Sequence, residues 1–365
     1  MAKKKILFSA YSMDVGGIET ALLTLLKYLA PKYDITLVLE RKQGVFLSDI
    51  PSNVKIEEYK VSSIKFALIR KPINFIKELK FKLKHHNKFD FAASYATYSM
   101  PGNFAARVSS KNSCIWVHNN YMDFFEQDLK NYIKFFMQAK IGKFKNVILV
   151  SELNKKQFVD AFPEYKSKAI ECKNLIDYEK IIEKADETDD EIKEFKKSKK
   201  KDVVRFIHVG RHDEVSKKVT RIIEATRRLN KEGYKFEVIL VGKGQDTRLY
   251  TNLSKDLKNI KFLGLKKNPY PYIKNSDCFI LSSQTEGYPV VLQEAELLNI
   301  PIVTTDVSDV RKDIEGKFGI VVENSDEGVY QGMKDFLDYG FKTNKFDAEK
   351  FNQDIIKKLE KVING

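Results

Sequence analysis

The chain has 365 residues, 43% hydrophobic and 31% charged, a balance typical of a folded globular protein and unlike that of a disordered or membrane-spanning one. This length exceeds the roughly 100–200 residues of a single domain and predicts two. The chain has 64 Lys and Arg against 50 Asp and Glu, and its net charge of +14 favours nucleic acid, anionic lipid head groups or phosphorylated small molecules as partners.

The first apolar segment, Lys4–Ala10, follows Met1 closely and imitates a signal peptide. Its apolar run is shorter than the ~7–15 residues of a signal-peptide core, and Asp14 follows soon after. No apolar run approaches the ~18 residues that cross a bilayer. We therefore expect a cytoplasmic protein, either free or peripheral on the inner face of the plasma membrane.

Strand-like and helix-like patterns alternate through the first half of the chain. The β-rich runs are Lys4–Ala10, Ile35–Glu40, Phe89–Tyr95, Ser113–His118 and Asn146–Ser151. Helical spacing of apolar residues appears in Ile18–Leu29 and Glu152–Phe162. This alternation predicts an α/β domain with a mainly parallel sheet over residues 1–175.

A polar, charge-dense stretch after Asn174 predicts a domain junction with a linker at about 178–202. We expect its lysine run, 196–201, to be a solvated connector or helix end, with an anion-binding patch as the alternative.

A second alternation of elements predicts another doubly wound domain over residues 176–346. Its predicted strands are Arg205–Gly210, Phe236–Gly242, Ile260–Gly264, Cys278–Ser283, Ile302–Thr305 and Gly319–Glu323. Its predicted helices are Lys217–Glu232, Asp246–Leu257 and Val290–Leu298. The amphipathic tail, about 347–365, is assigned to the N-terminal domain.

Ligands of such sheets bind at the carboxyl ends of the strands. The loops that follow these ends come after Ala10, His118, Gly210, Gly242, Gly264 and Ser283.

The segment from Ser283 to Leu298 predicts a strand end, a turn and a helix, with Pro289 at a natural first-turn position. At about 100° per residue, Glu294 lies in the apolar sector of this helix, with Gln293 and Glu296 on the polar side. An inward carboxylate must be paired or hydrogen-bonded. The diol of a ribose would satisfy it, and the helix N-terminus is suited to phosphate. The alternative is a structural carboxylate that bonds to neighbouring backbone.

Two further segments place charged residues near strand ends. Glu286 lies in the turn before the predicted helix, beside Gly287, and is either a ligand contact or a solvated loop residue. Arg211 follows a strand, and Lys217 opens the next predicted helix, so both cations can neutralise a diphosphate. The alternatives are a strand-end salt bridge for Arg211 and surface solvation for the lysines.

The glycine-bearing loop with Gly16 and Gly17 does not match G-x-G-x-x-G, which weakens the case for dinucleotide binding. Gly242-Lys-Gly244 is interpreted as a turn, and the sequence contains neither a Walker loop nor a D-x-D metal dyad flanked by strand signals. His118 ends a predicted strand and is equally compatible with a structural and a site role.

These segments together resemble glycosyltransferase family 4, also called glycosyl transferases group 1. The resemblance rests on the order and spacing of several short motifs. They are Glu-x7-Glu at Glu286 and Glu294, Gly-Arg…Lys at Gly210, Arg211 and Lys217, Gly-Gly-x-Glu at Gly16 to Glu19, Val-His-Asn at 117–119 and Asn-x-Ile-Asp at 174–177.

The resemblance implies a GT-B fold, in which two Rossmann-like domains face a central cleft, and a retaining transferase that needs no metal or other cofactor. It implies that Glu286 contacts the donor sugar and Glu294 the ribose, that Arg211 and Lys217 hold the diphosphate, and that Gly16 and Gly17 close over it. By the same likeness His118 lines the sugar side, and the donor-binding set is completed by Gly210, Lys218, Gly264, Gly287, Tyr288, Pro289, Val290 and Val291. Two departures are Lys217-Lys218, where the family often has Lys-Gly, and Pro289, which removes a backbone donor.

Two basic segments are candidates for the acceptor side. The stretch 70–86 places Ile73, Ile76, Leu79 and Leu83 on one helical face among lysines, and the stretch 121–144 is rich in Phe and Tyr. Each predicts either contact with an anionic membrane surface or a helix packed on the sheet. A lipid-linked saccharide acceptor fits the first alternative, because similar enzymes build bacterial capsule and other surface polysaccharides.

The resemblance thus implies transfer of a hexosyl or N-acetylhexosaminyl group from a nucleoside-diphosphate sugar, with UDP preferred, to a saccharide acceptor. A GT-B sugar-nucleotide epimerase and a non-catalytic partner subunit of a glycosyltransferase pair are the alternatives. A nucleic-acid-binding protein is disfavoured because no recognition motif accompanies the charge.

Overall fold

A computed structural model describes residues 3–14 and 16–365. The chain divides into two compact units, the first formed by Met1–Leu175 with Asn352–Gly365 and the second by Ile176–Phe351. Each unit is built on one parallel β-sheet with helices around it. The predicted α/β class with two Rossmann-like domains is therefore confirmed.

Within the described part of the first unit, the sheet has seven strands. They are β1 (Lys5–Ala10), β2 (Asp34–Leu39), β3 (Lys55–Glu58), β4 (Phe91–Ser94), β5 (Ser113–Val117), β6 (Asn146–Leu149) and β7 (Ala169–Glu171), in the spatial order β3-β2-β1-β4-β5-β6-β7. The accompanying helices are α1 (Gly17–Leu29), α2 (Ala67–His85), α3 (Met100–Ser109), α4 (Tyr121–Phe124), α5 (Leu129–Ala139) and α6 (Glu152–Ala161).

Continuous apolar runs explain the central strands of this sheet. Every residue of β1 after Lys5 is buried, as expected for a parallel strand that is covered on both faces. Helix α1 follows it and buries Leu22, Leu26 and Leu29 on one side, which is the spacing of a helical stripe facing a core.

The second unit has six strands. They are β8 (Val204–Val209), β9 (Phe236–Val241), β10 (Ile260–Gly264), β11 (Cys278–Leu281), β12 (Ile302–Thr305) and β13 (Gly319–Val322), in the order β10-β9-β8-β11-β12-β13. Its helices are α7 (Tyr178–Asp186), α8 (Asp190–Lys197), α9 (Thr220–Lys231), α10 (Thr247–Leu253), α11 (Tyr270–Lys274), α12 (Val290–Leu297), α13 (Val310–Ile314) and α14 (Asp326–Tyr339). Helix α15 (Ala348–Asn364) runs from this unit into the first.

The strand order of the second sheet reverses between β8 and β11. From β8 the chain winds outward through β9 and β10, and from β11 it winds the other way through β12 and β13. Connections at such a reversal diverge and leave a crevice at the carboxyl ends of the two strands, which is where doubly wound sheets bind ligands. The loops after β8 and β11 are therefore the first place to look for a site.

Three details differ from the sequence-based predictions. The helix predicted from Lys217 begins at Thr220, the stretch at 178–202 contains α7 and α8, and strands β3 and β7 were not predicted. Helices α7 and α8 form because each buries two apolar residues one turn apart, such as Ile192 and Phe195 of α8, while its charges face solvent. In the part of the chain that the structure describes, no helix combines the length and apolarity needed to cross a membrane.

Candidate functional site

The centre of the candidate site is an ion pair between Lys217 and Glu286. Lys217 lies in the loop after β8 and Glu286 in the loop after β11, and the Lys217 ammonium contacts Oε1 of Glu286. The same carboxylate oxygen accepts a hydrogen bond of 2.7 Å from Oγ of Ser283. The Lys217 side chain is 18% exposed and the Glu286 side chain 14%, so both charges are largely withdrawn from water. The structure thus joins two of the predicted site residues at the strand reversal.

Direct hydrogen bonds hold the two loops together. Ser282 Oγ donates to the Lys217 carbonyl over 2.9 Å, and the Gln284 amide donates to the Ser216 carbonyl over 2.7 Å. These bonds fix the backbone on both sides of the ion pair, so its geometry does not depend on the two long side chains alone.

Arg221, on α9, holds the loop after β11 in place, and no sequence motif predicted this role. Its buried guanidinium donates to the Ser282 carbonyl over 3.2 Å, to Oε1 of Gln284 over 2.7 Å and to Oδ1 of Asn324 over 2.6 Å. Asn324 in turn donates to the Gln284 carbonyl over 2.9 Å. The same guanidinium donates through Nε to Oδ1 of Asp326 over 3.1 Å, and a planar donor fork with this many acceptors pins the loop in one conformation.

Lys218 differs from its neighbour in backbone and in contacts. Its φ is +48°, in the left-handed region that glycine adopts at no steric cost. This backbone requirement explains why a glycine suits the position. The Lys218 side chain extends to Glu214, 3.9 Å away, so only Lys217 of the two lysines contacts Glu286.

Arg211 does not join the ion pair in this structure. Its guanidinium lies 3.3 Å from Oδ2 of Asp213, and the side chain is 71% exposed. The structure therefore places Arg211 in a strand-end salt bridge, which was the alternative interpretation of this residue. Its predicted role in holding a diphosphate stays a prediction.

Glu294 lies on α12 and is buried, as its place in the pattern predicted. The hydroxyl of Tyr270, from α11, donates to Oε1 of Glu294 over 3.2 Å. Burial raises the pKa of Glu294 to about 7, against an ordinary value of 4.5, and the Tyr270 hydrogen bond only partly offsets this. The carboxyl therefore has a side-chain partner rather than the backbone partner of the structural alternative.

The predicted polar side of α12 was wrong. Gln293 and Glu296 are buried, whereas apolar residues that were expected to face inward are only partly buried, namely Val290, Val291, Leu297 and Leu298. Helix α12 packs against α7, α11 and β12, so neighbouring elements cover this two-turn helix on several sides and the usual division into two faces does not apply. Both polar atoms of the Gln293 amide are shielded from solvent without a hydrogen-bond partner in the described structure.

The turn that leads into α12 is held by side chains outside it. Ser308 donates its hydroxyl to the Gly287 carbonyl, and the buried Tyr288 hydroxyl donates to Oδ2 of Asp313 over 2.8 Å. The buried Tyr288 side chain is thus bonded within the fold. The groups of this turn that remain for a ligand are backbone groups. The first N–H groups of α12, at Val290 and Val291, have no carbonyl of the preceding turn to bond to, whereas Pro289 has no N–H.

The loop after β8 is packed tightly against the loop after β9. Gly242 has φ +145°, and a Cβ there would lie 1.8 Å from the Gly210 carbonyl oxygen. This close approach accounts for the first glycine of Gly242-Lys-Gly244. At the end of β10, the Gly264 carbonyl accepts a hydrogen bond of 2.8 Å from the Gly242 amide. Gly242 and Gly264 thus have structural roles beside the site.

His208, near the end of β8, lies close to Gly210 and was not among the predicted site residues. It is fully buried, and its Nδ1 lies 3.1 Å from the Ile280 carbonyl, which fixes Nδ1 as the protonated nitrogen. Nε2 has no partner in the described structure, and a Cβ on Gly210 would lie 3.0 Å from it and 3.8 Å from Cε of Lys217. Burial lowers the pKa of His208 to about 3, so the ring is neutral.

Two predicted site features lie in the first unit. His118 follows β5, and its ring centroid is 4.3 Å from that of Tyr95. Burial lowers the pKa of His118 to about 3, and Nε2 has no partner in the described structure. Gly16 precedes α1 in an extended conformation, and Gly17 is the first residue of that helix. The Glu19 side chain lies over Gly16, so a Cβ on Gly16 would be 2.3 Å from Oε2 of Glu19.

Among residues 3–14 and 16–365, no three His, Cys, Asp or Glu side chains are grouped so as to hold a metal ion.

Comparison with known proteins shows which proteins this chain resembles. Residues 203–338, which contain the loops after β8 and β11, match the sequence model of the family described as Glycosyl transferases group 1. The chain is 26% identical over 248 residues to an uncharacterized glycosyltransferase of Methanocaldococcus jannaschii, a match that spans 67% of this chain and 59% of that protein. These findings support a GT-B glycosyltransferase.

Two further comparisons extend over nearly the whole chain. The sequence is 27% identical, over 90% of its length and 88% of the other protein, to the N-acetylgalactosamine-N,N'-diacetylbacillosaminyl-diphospho-undecaprenol 4-alpha-N-acetylgalactosaminyltransferase of Campylobacter jejuni. The crystal structure of HepE from Anabaena with UDP and glucose is similar at a TM-score of 0.77 and 17% identity, covering 98% of this chain and 99% of that one. The latter likeness confirms the GT-B fold.

Proposed function

We propose that this GT-B glycosyltransferase retains the anomeric configuration and moves a hexosyl or N-acetylhexosaminyl group from a UDP-sugar to a lipid-linked saccharide. Its product would be part of a bacterial capsule, other surface polysaccharide or glycoconjugate. The observation that carries the proposal is the shielded Lys217–Glu286 pair at the strand reversal of the second sheet, together with the buried carboxyl of Glu294 on the helix that follows Glu286.

Lys217 supplies the positive charge that the departing nucleoside diphosphate requires. A fixed cation withdrawn from water stabilises developing negative charge more than an exposed one does. Glu286 holds this cation in place through the ion pair. When a donor binds, its diphosphate takes the ammonium as a partner, and Glu286 turns its oxygens to hydroxyls of the donor sugar.

Glu294 is the residue proposed to bind the ribose. The two neighbouring hydroxyls of a ribose would both donate hydrogen bonds to the Glu294 carboxylate. These bonds would take the place of the hydrogen bonds from water that a buried carboxylate lacks. The first N–H groups of α12, near Val290, lie on the same helix and provide donors for phosphate oxygens. Ribose and phosphate binding on one short helix define a nucleotide site.

The remaining assignments come from the resemblance and stay proposals. They are diphosphate binding by Arg211, contact of His118 with the sugar, closure of Gly16 and Gly17 over the donor, and catalysis without a metal ion. For Arg211, the exposed guanidinium would exchange Asp213 for the diphosphate. For His118, a neutral ring with an unpartnered Nε2 is suited to a hydrogen bond with a sugar hydroxyl.

The acceptor is proposed from the Campylobacter protein, whose name specifies a diphospho-undecaprenol acceptor and an alpha linkage. An alpha product is the anomer that a retaining enzyme forms from an alpha-linked sugar nucleotide. The identity of 27% leaves the particular sugar open, so the proposal is limited to the class of donor and acceptor.

A thermal-shift series with UDP, GDP, ADP and their sugars tests the donor. We expect UDP compounds to raise the melting temperature in the presence of EDTA, because the site uses cations of the chain. With the selected donor and a lipid-linked saccharide, NMR of the product then reports its anomeric configuration. An inverted anomer would overturn the retaining mechanism. Consumption of the donor without any acceptor would point to an epimerase, and binding without turnover to a non-catalytic subunit.

A further inference from the structure

Helix α2 exposes an apolar face to solvent, which is the reverse of an ordinary surface helix. At about 100° per residue, its outward residues lie within an arc of about 120°. They are Leu68, Ile69, Pro72, Phe75, Ile76, Leu79 and Leu83, and every one of them is exposed. Leu68 is 90% exposed, Leu83 72% and Phe75 66%. A contiguous row of large apolar side chains of this kind marks an interaction surface.

The opposite face of α2 fastens the helix to the first unit. The Phe81 ring lies 4.5 Å from that of Tyr59 and 6.2 Å from that of Phe104 in α3, and all three belong to one hydrophobic cluster. Nε2 of the buried His85 lies 3.1 Å from Oε2 of Glu57 in β3. These contacts determine which face of α2 points outward, so the exposure of Leu68 and Leu79 does not depend on a loosely held helix.

Charge surrounds the outward face. Over its 19 residues α2 has six Lys or Arg and one Glu, a net charge of +5. Lys71 and Lys82 lie on one border of the apolar arc and Lys80 on the other, and all three are exposed. An apolar stripe bordered by lysines fits a surface that has anionic groups outside and hydrocarbon beneath them.

The second basic and aromatic segment behaves differently. In the stretch 121–144, Tyr121, Tyr132 and Phe136 are buried in the aromatic cluster of the first unit, and Phe135 packs against them. Phe124 is the exposed ring of this group. The packed-helix interpretation therefore accounts for most of this segment, and the membrane interpretation does not extend to it as a whole.

We infer that α2 binds the surface of an anionic lipid bilayer and lies parallel to it, with Leu68, Phe75, Leu79 and Leu83 among the acyl chains. Lys71, Lys80 and Lys82 contact lipid phosphates. This inference goes beyond the transfer reaction and holds whether or not the site uses a UDP-sugar. It would bring the protein to the surface that carries a lipid-linked acceptor.

Flotation with vesicles tests the inference directly, in the absence of sugar nucleotide. We expect the full chain to float with vesicles that contain phosphatidylglycerol, to bind phosphatidylcholine vesicles at least tenfold less, and to be released by salt. The double substitution Leu68→Glu and Leu79→Glu should lower partition at least tenfold. Because both positions are exposed, the variant should fold.

Matched controls are available in the second unit. Leu265 and Tyr339 are exposed apolar residues outside α2, and the double substitution Leu265→Glu and Tyr339→Glu makes the same change in charge without effect on flotation. An equal loss in this control would show that added negative charge alone weakens binding, and would overturn the inference. A UDP thermal shift unchanged in the Leu68→Glu and Leu79→Glu variant separates vesicle binding from donor binding.

Insertion is measured with a tryptophan at position 79. The chain has one native tryptophan, Trp116, which is buried. In a Leu79→Trp variant, brominated lipids should quench the new fluorescence, whereas a Tyr339→Trp variant should not be quenched. If the fluorescence of Leu79→Trp is not quenched in vesicle-bound protein, the result contradicts insertion.

Light scattering tests whether a second copy of the chain covers the apolar face instead. If the wild type forms a dimer and does not bind vesicles, and the Leu68→Glu and Leu79→Glu variant is a monomer, the face is a dimer interface and the inference is overturned.

Discussion

The Lys217 ammonium and the Glu286 carboxylate are ion-paired across two loops that belong to adjacent strands, and both side chains are largely shielded from water. Neutralising one partner therefore has a different effect from removing the other. Removing Lys217 leaves a shielded carboxylate without its cation, which would repel a phosphate. Neutralising Glu286 leaves the cation in place for the phosphate.

This asymmetry yields the first prediction. Lys217→Ala should weaken UDP binding and lower turnover at least ~100-fold, because a donor aimed at developing charge contributes about 2.7–4 kcal/mol. Glu286→Gln should keep UDP binding within about threefold of the wild type, since a change of ~0.6 kcal/mol corresponds to that factor, and should still lose turnover. Calorimetric UDP titrations and initial rates measure both. Lys218→Ala compares the two neighbouring lysines and should change both quantities much less than Lys217→Ala does, because the Lys218 side chain extends to Glu214. Equal UDP affinity in Lys217→Ala and the wild type would remove Lys217 from the site.

A second prediction concerns the backbone of Lys218. Its left-handed conformation costs about 1–2 kcal/mol for a residue with a Cβ, whereas glycine loses about 0.5–1 kcal/mol of unfolded-state freedom. Lys218→Gly should therefore raise the melting temperature slightly and Lys218→Val should lower it. Lys235→Gly, at an exposed position with ordinary φ, serves as control and should not stabilise. A Lys218→Gly variant less stable than Lys235→Gly would contradict this account.

The alternation of strands and helices could be predicted from the sequence because buried parallel strands are short apolar runs. The strand order could not, because it depends on which long-range pairings form, and β8 and β11 are separated by 68 residues between the end of one and the start of the other. The burial of Glu294 followed from its apolar neighbours. The burial of Gln293 did not, since it depends on α7 and α11, which cover α12.

The site could be predicted in part for the same reason. Lys217 and Glu286 were found by motif spacing, and the structure brings them together. Arg221 and His208 carry no such signal, because one basic residue in an amphipathic helix and one histidine in a strand are ordinary features of a sequence. Their importance appears only when the acceptors of Arg221 and the surroundings of His208 are known.

The third prediction tests Arg221 as a positioning residue. Arg221→Ala removes a guanidinium that donates to Ser282, Gln284 and Asn324, so it should destabilise the protein by about 2 kcal/mol or more. It should also weaken UDP binding, because the loop with Glu286 loses its fastening. Arg228→Ala on the same helix removes an exposed guanidinium that pairs with Glu327 and lies over the Tyr330 ring, and it should destabilise the protein less than Arg221→Ala does. Thermal unfolding and UDP calorimetry measure both effects. A destabilised Arg221→Ala variant with unchanged UDP affinity would show that the clamp is structural only.

The fourth prediction is a pH dependence that originates at Glu294. Its pKa of about 7 in the folded chain lies above the ordinary 4.5, so the folded state favours the protonated carboxyl. The stability that this proton provides is fully present below pH 4.5 and is lost as the pH rises towards 7. Glu294→Gln should therefore raise the melting temperature at pH 8 more than at pH 5.

Binding of the donor should have the opposite pH dependence from stability. In the proposed site, two ribose hydroxyls would donate to the ionised carboxyl, so the affinity for UDP-glucose should fall as the pH decreases below 7, approaching tenfold per pH unit. UDP-glucose is the probe because its diphosphate has no group that titrates in this range. In Glu294→Gln the affinity should be low and independent of pH. In Tyr270→Phe the loss of a hydrogen bond that favours the ionised form should move the midpoint to higher pH. A wild-type affinity that is constant from pH 5.5 to 8 would place the ribose away from Glu294.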